Sequence, residues 1–256
     1  MYGIDVVSIS QNKNKKLWVK ILKNIDFLAC RDLETKDNFS FLPDNLSQKI
    51  HCFTDITFSL SDVSQTSDII DDKTIIWCLA NPFGHNEQQE RYIDLINTFS
   101  EIINEHTDYK HVFIPFYKVS DTSFYKDIKK EVDKKVAFDL LEYDDFTRIR
   151  PLLKKAALCV CMRFHSLAFA IYENANFVTI SYAPKMENLL KRVDDSDYVK
   201  YGVRESDNYH KVFDFDKQDL KKLIKERLIS KKTCDATFLI KTASTGEELL
   251  LKWLTN

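Results

Sequence analysis

The chain has 256 residues, 44% of them hydrophobic and 30% charged, a balance that excludes wholesale disorder. Its 37 Lys plus Arg stand against 39 Asp plus Glu, a formal net charge of −2, so a broad basic footprint for nucleic acid is excluded as well. No apolar run reaches the roughly 18 residues of a membrane span, and the N-terminus does not read as a signal peptide.

In chain order, residues 4–9 read as a short strand, followed by a helix with Leu17, Ile21, Leu22 and Ile25 at helical spacing. Residues 27–30 form a short buried strand ending in Arg31-Asp32, and residues 50–53 another. Ser and Asp dominate residues 61–73, where no apolar period survives, so this segment reads as a linker. From residue 74 the pattern becomes regular. Residues 74–79 are a continuous apolar strand. Asn86, with Gln89 three residues on, reads as the cap of a long helix whose face is Tyr92, Ile96, Phe99 and Ile103. Strands are expected at 111–115, 156–161 and 177–181, and helices at 124–132 and 166–173. Two late helices are expected at 216–228 and 246–254, the second opened by Thr245 and Glu248 as a capping box. Continuous apolar strands alternating with helices imply a parallel sheet covered on both faces.

Only four glycines occur, at positions 3, 84, 202 and 246, so neither glycine-rich phosphate loop can be built. That sets aside Walker-type hydrolases and ordinary dinucleotide dehydrogenases. The six cysteines, at 30, 52, 78, 159, 161 and 234, contain no C-x-x-C pair. They read as buried free thiols of a reducing compartment, and no metal-ligand cluster is visible.

Ligands of open parallel sheets bind beyond the carboxyl ends of the strands. There the strand 156–161 runs into Met162-Arg163-Phe164-His165, and the strand 177–181 into Tyr182-Ala183-Pro184-Lys185. In an extended segment Arg163 and His165 point the same way. Pro184 suits the first turn of a helix, whose N-terminus favours an anion, as does the helix start near Ser166. Arg31, Arg163, Lys185 and two helix N-termini therefore describe a small-anion site built without glycines. Phe113, Phe116, Phe164 and Phe169 read as core. His85, His106 and His210 read as surface, and the Lys-rich segment 126–135 as a solvated helix face.

The stretch Leu158-Cys-Val-Cys-Met-Arg-Phe-His-Ser-Leu-Ala-Phe-Ala, followed by Phe177-Val-Thr-Ile-Ser-Tyr-Ala-Pro-Lys-Met, resembles the signature of the polysaccharide pyruvyl transferases, an Arg-Leu-His and a Tyr-x-Pro-Lys-Val element. Ala29-Cys-Arg-Asp-Leu-Glu-Thr is similar to the family's Arg-Asp-x-x-Ser element and Asp55-Ile-Thr-Phe to its Asp-Pro-x-Phe. Phe113-Ile-Pro-Phe with Asp121 resembles its strand ending in Pro followed by a spaced Asp. Phe164, Thr35 and Met186 depart from the pattern, and Ala80-Asn81-Pro82 stands where many members carry an Arg.

The resemblance implies a GT-B-like α/β protein with Rossmann-type parallel sheets. It has an incomplete N-terminal acceptor-side unit over residues 1–60, a linker over 61–73, and a C-terminal Rossmann-like domain over 74–256. It implies an enzyme that transfers a pyruvyl group from phosphoenolpyruvate to a sugar, giving a pyruvate ketal. His165 is the expected proton-transfer residue, and Arg31, Arg163, Tyr182 and Lys185 the substrate-binding ones. No cofactor or metal is expected, and the acceptor is a glycan or lipid-linked sugar. The expected location is the cytoplasm, with the inner face of the membrane as the alternative place of work. The chain starts near the end of the family's N-terminal domain, so it is expected to lack part of the acceptor side and with it full activity. Two other readings fit the same crevice: a GT-B glycosyltransferase using a nucleotide sugar, and a non-catalytic remnant that binds a glycan or a partner.

Overall fold

The computed structural model describes residues 12–60, 70–81, 89–142, 148–201 and 216–255. The expected strand at 4–9, the Asn86 cap, His85, His210 and most of the linker lie outside them. The chain divides into two units, residues 1–61 with 236–256, and residues 62–235. In order, the elements are α1 (Asn12–Lys23), β1 (Leu28–Cys30), α2 (Leu33–Asp37), α3 (Asp44–Ser47), β2 (Ile50–Cys52), a short 3-10 helix (Ile56–Ser59), β3 (Thr74–Cys78), α4 (Gln89–Glu105), β4 (Lys110–Phe113), α5 (Lys118–Glu131), β5 (Phe138–Leu140), α6 (Arg150–Lys155), β6 (Leu158–Cys161), α7 (Phe164–Tyr172), β7 (Phe177–Ser181), α8 (Pro184–Lys191), β8 (Tyr198–Lys200), α9 (Lys217–Ile229) and α10 (Thr237–Thr255).

In the first unit β1 and β2 pair in parallel, with Leu28 opposite Ile50 and Cys30 opposite Cys52. Their core is Leu22, Leu28, Cys30, Phe39, Leu46 and Ile50, and α1 adds Trp18 and Val19. The buried stripe of α1 is thus rotated from the expected one, because Leu17 is 55% exposed. The bulky Trp18 takes the inward position, edge-on to Phe39 at 4.9 Å.

The closing helix differs more from expectation. Helix α10 runs unbroken through Gly246, and Thr245, the expected cap, donates its hydroxyl back to the Lys241 carbonyl at 2.9 Å. Leu239, Ala243 and Gly246 are its buried positions, a small-residue stripe that packs on the 3-10 helix. The close contact offsets the roughly 1 kcal/mol that a mid-helix glycine costs. Residues 236–256 therefore group with the N-terminal unit, and the expected domain over 74–256 ends at Asp235.

The second unit is a six-stranded, all-parallel sheet in the order β5-β4-β3-β6-β7-β8. Counted within the unit this is 3-2-1-4-5-6, the doubly wound order whose switch point lies between β3 and β6. One face packs Trp77, Phe113, Val160 and Ile180 against Phe99 and Ile103 of α4, Phe124 and Ile128 of α5, and Leu220 and Ile224 of α9. The expected α4 face of Ile96, Phe99 and Ile103 is buried there. Helices α7 and α8 also pack onto this sheet, α7 against β6 and β7 and α8 against β7, and α6 packs against α7. The architecture is the expected parallel α/β sheet, with β5 and β8, each three residues long, added at its two edges. The described end of the linker is ordered: the Thr74 hydroxyl donates to Asp71 at 2.8 Å, a turn that leads into β3. No described helix is long and apolar enough to cross a membrane.

Strand β4 carries a buried histidine, His111. The Trp77 indole donates to Nδ1 of His111 at 3.0 Å, so Nε2 carries the proton and donates to the His106 carbonyl at 3.0 Å. His106 is therefore half-buried with a structural role, not a bare surface residue; its Nδ1 also lies 2.8 Å from the Ile102 carbonyl. Burial pushes the His111 pKa down to about 4. In the unfolded chain the imidazole takes a proton near its ordinary value of 6.5. Its contribution to stability is thus complete above that value and is lost as pH falls from there toward 4. The loss is expected to reach about 3 kcal/mol. Chemical denaturation across that range measures it. A His111→Phe variant should show a shallower pH slope, and an identical slope would assign the acid sensitivity to other groups.

Candidate functional site at the carboxyl edge of the sheet

Strand β6 stops at the switch point, and Arg163 follows it in extended conformation (φ −104°, ψ 139°) as the N-cap of α7. The helix starts at Phe164, so His165 is its second residue and not part of an extended segment. Arg163 and His165 therefore do not alternate on a strand. They sit at the mouth of a helix, where Arg163 is half-buried and His165 exposed. The Ser166 hydroxyl donates to the Arg163 carbonyl at 2.7 Å and stitches this first turn shut.

The second junction is built alike. Strand β7 ends at Ser181, Ala183 caps α8 in extended conformation, and Pro184 supplies the first helical residue. Lys185 places Nζ 5.5 Å from the centre of the Phe164 ring, which brings the starts of α7 and α8 side by side. The N–H groups of a first helical turn have no intrahelical acceptors, so each start offers donors and partial positive charge to an anion. Phe164 is 5% exposed and Phe169 2%, so both belong to the core, whereas Phe116 is only half-buried.

Arg163 has a partner that its own neighbourhood in sequence does not reveal. Its Nε donates to Oδ2 of Asp121 at 3.2 Å, and its Nη2 donates to Oδ1 of the same carboxylate. Asp121 lies in the first turn of α5, just beyond β4, and is fully buried. Its Oδ2 also accepts the backbone N–H groups of Phe116 (3.0 Å) and Tyr117 (2.8 Å), and Oδ1 accepts the Ser120 hydroxyl (3.1 Å). The guanidinium stands 5.7 Å from the Tyr117 ring centre. Burial works against its charge, but hydrogen bonds and attraction to Asp121, then to Tyr182, outweigh burial and push its pKa above the ordinary value. Three of the expected binding residues, Arg163, Tyr182 and Lys185, thus gather with His165 at one sheet edge, at the ends of β6 and β7.

Arg31 belongs to the N-terminal unit. It is 8% exposed at the end of β1, with Nε 3.8 Å from Asp32 and Nη1 3.7 Å from Asp55. Each carboxylate also caps a helix, Asp32 by accepting from the Thr35 N–H at 2.7 Å and Asp55 from the Thr57 N–H at 3.1 Å. The two upstream motif elements thereby converge on one guanidinium, whose charge they offset.

The cysteines are free thiols. Cys78 and Cys161 are register partners at the switch point, and burial raises both, Cys161 to about 12. Such thiols are poor nucleophiles and poor ligands. Among the described residues no His, Cys, Asp and Glu cluster suits a metal ion.

Solved structures share this fold at low identity. A UDP-GlcNAc 2-epimerase of Methanocaldococcus jannaschii, solved with UDP-GlcNAc and UDP, is 15% identical with a TM-score of 0.60, over 89% of this chain and 61% of its own. S. aureus MnaA, solved with UDP, is 13% identical with a TM-score of 0.54, over 92% of this chain and 58% of its own. S. aureus TarM is 13% identical with a TM-score of 0.53, over 99% of this chain and 49% of its own. The fold is therefore GT-B-like, and the chain spans about half to three-fifths of the length of these neighbours. No curated protein matches the chain. The family model for polysaccharide pyruvyl transferases matches residues 7–184, a span that contains Asp121, the Arg163–His165 junction and the second junction as far as Pro184, with Lys185 just beyond its end. On that match the chain belongs to the polysaccharide pyruvyl transferase family.

Proposed function

We propose that the sheet edge at β6 and β7 binds phosphoenolpyruvate and transfers its pyruvyl unit to a sugar as a cyclic ketal. The observation that carries this reading is the meeting of Arg163, Lys185 and the starts of α7 and α8 at one place. Phosphoenolpyruvate is small and carries about three negative charges, and charge-assisted hydrogen bonds contribute roughly 1.5–3 kcal/mol each. In the proposal Lys185 and the helix N–H groups hold the phosphate, and Arg163 and Tyr182 face the carboxylate. Arg31, flanked by two carboxylates, organises the N-terminal unit and is not assigned to the donor.

The transfer breaks the bond between C2 and the phosphate oxygen and forms two bonds from C2 to sugar hydroxyl oxygens. One hydroxyl proton ends on the methylene carbon, which becomes a methyl group, and the other leaves with phosphate. His165 is the group proposed to pass that first proton, and Lys185 to stabilise the departing phosphate. The glycan or lipid-linked acceptor belongs to the same proposal.

Calorimetry with phosphoenolpyruvate and with UDP-sugars tests the reading. Phosphoenolpyruvate should bind without added metal, and more weakly as salt rises, because exposed charge pairs are screened. Lys185→Ala should weaken it by about tenfold or more. Tight binding of a UDP-sugar with none of phosphoenolpyruvate would overturn the reading in favour of a glycosyltransferase. In such an enzyme a carboxylate near the β7 end would meet the ribose. Glu187 is already engaged there, accepting from the Tyr198 hydroxyl at 3.1 Å and lying 2.8 Å from Lys200.

A further inference from the structure

We infer that Asp121 is a positioning residue for the donor site: it grips the Nε–Nη2 edge of Arg163 against the turn after β4 and leaves Nη1 for the substrate carboxylate. This rests on the phosphoenolpyruvate reading above. A carboxylate offers about four lone-pair sites. Two backbone N–H groups, those of Phe116 and Tyr117, and the Ser120 hydroxyl fix Asp121 without help from Arg163. The fully buried carboxylate is therefore the fixed point, and the longer, half-buried arginine takes its orientation from it.

An arginine with no carboxylate beside it attracts any anion. Paired with Asp121, Arg163 keeps its directional donors but loses most of its net attraction. A site so arranged selects by geometry, taking a carboxylate at the right distance from the phosphate pocket, and discriminates weakly for charge alone. The pair runs from a buried carboxylate to an open rim: Asp121 is fully buried, Arg163 keeps 21% of its side chain exposed, and Tyr117, whose N–H Asp121 holds, is 68% exposed. The guanidinium is thus held from its buried side and faces the rim with the other.

The test is calorimetry with phosphoenolpyruvate and with inorganic phosphate on the wild-type chain, Asp121→Asn, Arg163→Ala and the double variant. Asparagine keeps an oxygen for the Phe116 and Tyr117 N–H groups but turns an N–H₂ group toward the guanidinium. Asp121→Asn should lose tenfold or more in phosphoenolpyruvate affinity while phosphate binds as well as before or better. In the Arg163→Ala background the same change should cost nothing further, because residues that act through one another are not additive. Unchanged phosphoenolpyruvate affinity, an equal loss for both anions, or additive losses would overturn the assignment. A melting temperature alone does not separate these cases, but the ratio of the two affinities does.

Two further measurements keep the outcome decidable. If Asp121→Asn does not fold, Arg163→Lys takes its place: it keeps the cation but cannot present two edges, and should lose affinity as Arg163→Ala does. Full retention in Arg163→Lys would overturn the inference. If the wild-type chain binds no phosphoenolpyruvate, the donor reading fails, and the role of Asp121 is read from the ¹⁵N resonance of the Arg163 Nε–H group. A slowly exchanging signal, absent in Arg163→Ala and broadened in Asp121→Asn, upholds positioning, whereas an unaltered signal in Asp121→Asn refutes it.

Discussion

Replacing His165 with alanine is expected to lower turnover by about 10²–10⁴-fold while phosphoenolpyruvate affinity stays within about twofold. A proton-transfer group acts mainly in the transition state, so its loss appears in kcat and hardly in ground-state binding. The structure removes the main competing explanation. A core histidine at a strand end would, when truncated, open a cavity and lower stability, binding and rate together. His165 is instead an exposed residue in the first turn of α7, its ring edge-on to Phe164 at 5.5 Å. The melting temperature of His165→Ala should therefore lie close to that of the wild-type chain. Phosphate release from phosphoenolpyruvate and ketal formation on a glycan acceptor measure the rate. Retained turnover would remove His165 from the mechanism, and a parallel loss of affinity would make it a binding residue.

How far the sequence reveals this site depends on where each signal is stored. The strands expected at 74–79, 156–161 and 177–181 are legible because a central parallel strand is apolar on both faces, and a polar or Pro residue follows each within three positions. The junction residues Arg163, Tyr182 and Lys185 are legible for the same reason. The three-residue strands β5 and β8 carry too few residues for a period, although Val136, Phe138 and Leu140 alternate as a strand would. The start of α7 is misread by two residues because Phe164 and His165 continue the apolar-polar alternation of a strand. Ser166, a usual capping type, also reads as the cap itself, whereas the structure caps the helix at Arg163, which makes no side-chain capping bond, and turns the Ser166 hydroxyl back to the Arg163 carbonyl. In α10 the opposite error occurs: Ser244-Thr245-Gly246 is good helix-starting chemistry, overruled by the packing of Ala243 and Gly246 on the 3-10 helix. The Asp121–Arg163 pair spans 42 residues, and only the fold brings it together. The sequence singles out Asp121 as a spaced acidic residue without saying what it holds.

Arg227→Ala should be the most destabilising single change in the second unit outside the hydrophobic core, costing about 3–5 kcal/mol. The Arg227 side chain is 3% exposed and that of Asp195 is fully buried. Nη2 of Arg227 lies 3.1 Å from both Asp195 oxygens, and Lys232 reaches one of them at 3.0 Å. The Arg227 carbonyl accepts from Asn176 at 2.8 Å, and the Asn176 amide also donates to Ala157 at 2.7 Å. One clamp thus ties together the turn after α8, the end of α9, the segments before β6 and β7, and the exit toward α10. Removing only the cation leaves a buried carboxylate with Lys232 as its remaining cation. Burial alone would raise the Asp195 pKa, but its hydrogen bonds and the Arg227 charge hold it below the ordinary range. Its contribution is therefore present at neutral pH and is lost as pH falls through that depressed value. At about 2–4 °C per kcal/mol for a protein of this size, the melting temperature of Arg227→Ala should drop by roughly 6–20 °C. Asp197, 50% exposed on the same clamp, provides the control, and Asp197→Ala should cost at most about 1 kcal/mol. Removing both buried charges, as Arg227→Met with Asp195→Leu, should restore most of the loss, because the penalty comes from the unpaired charge and not from the missing bond. Thermal melts of the three variants and the wild-type chain at neutral pH decide the matter, and an Arg227→Ala protein within about 1 kcal/mol of wild type would show that the clamp is held by Lys232 alone.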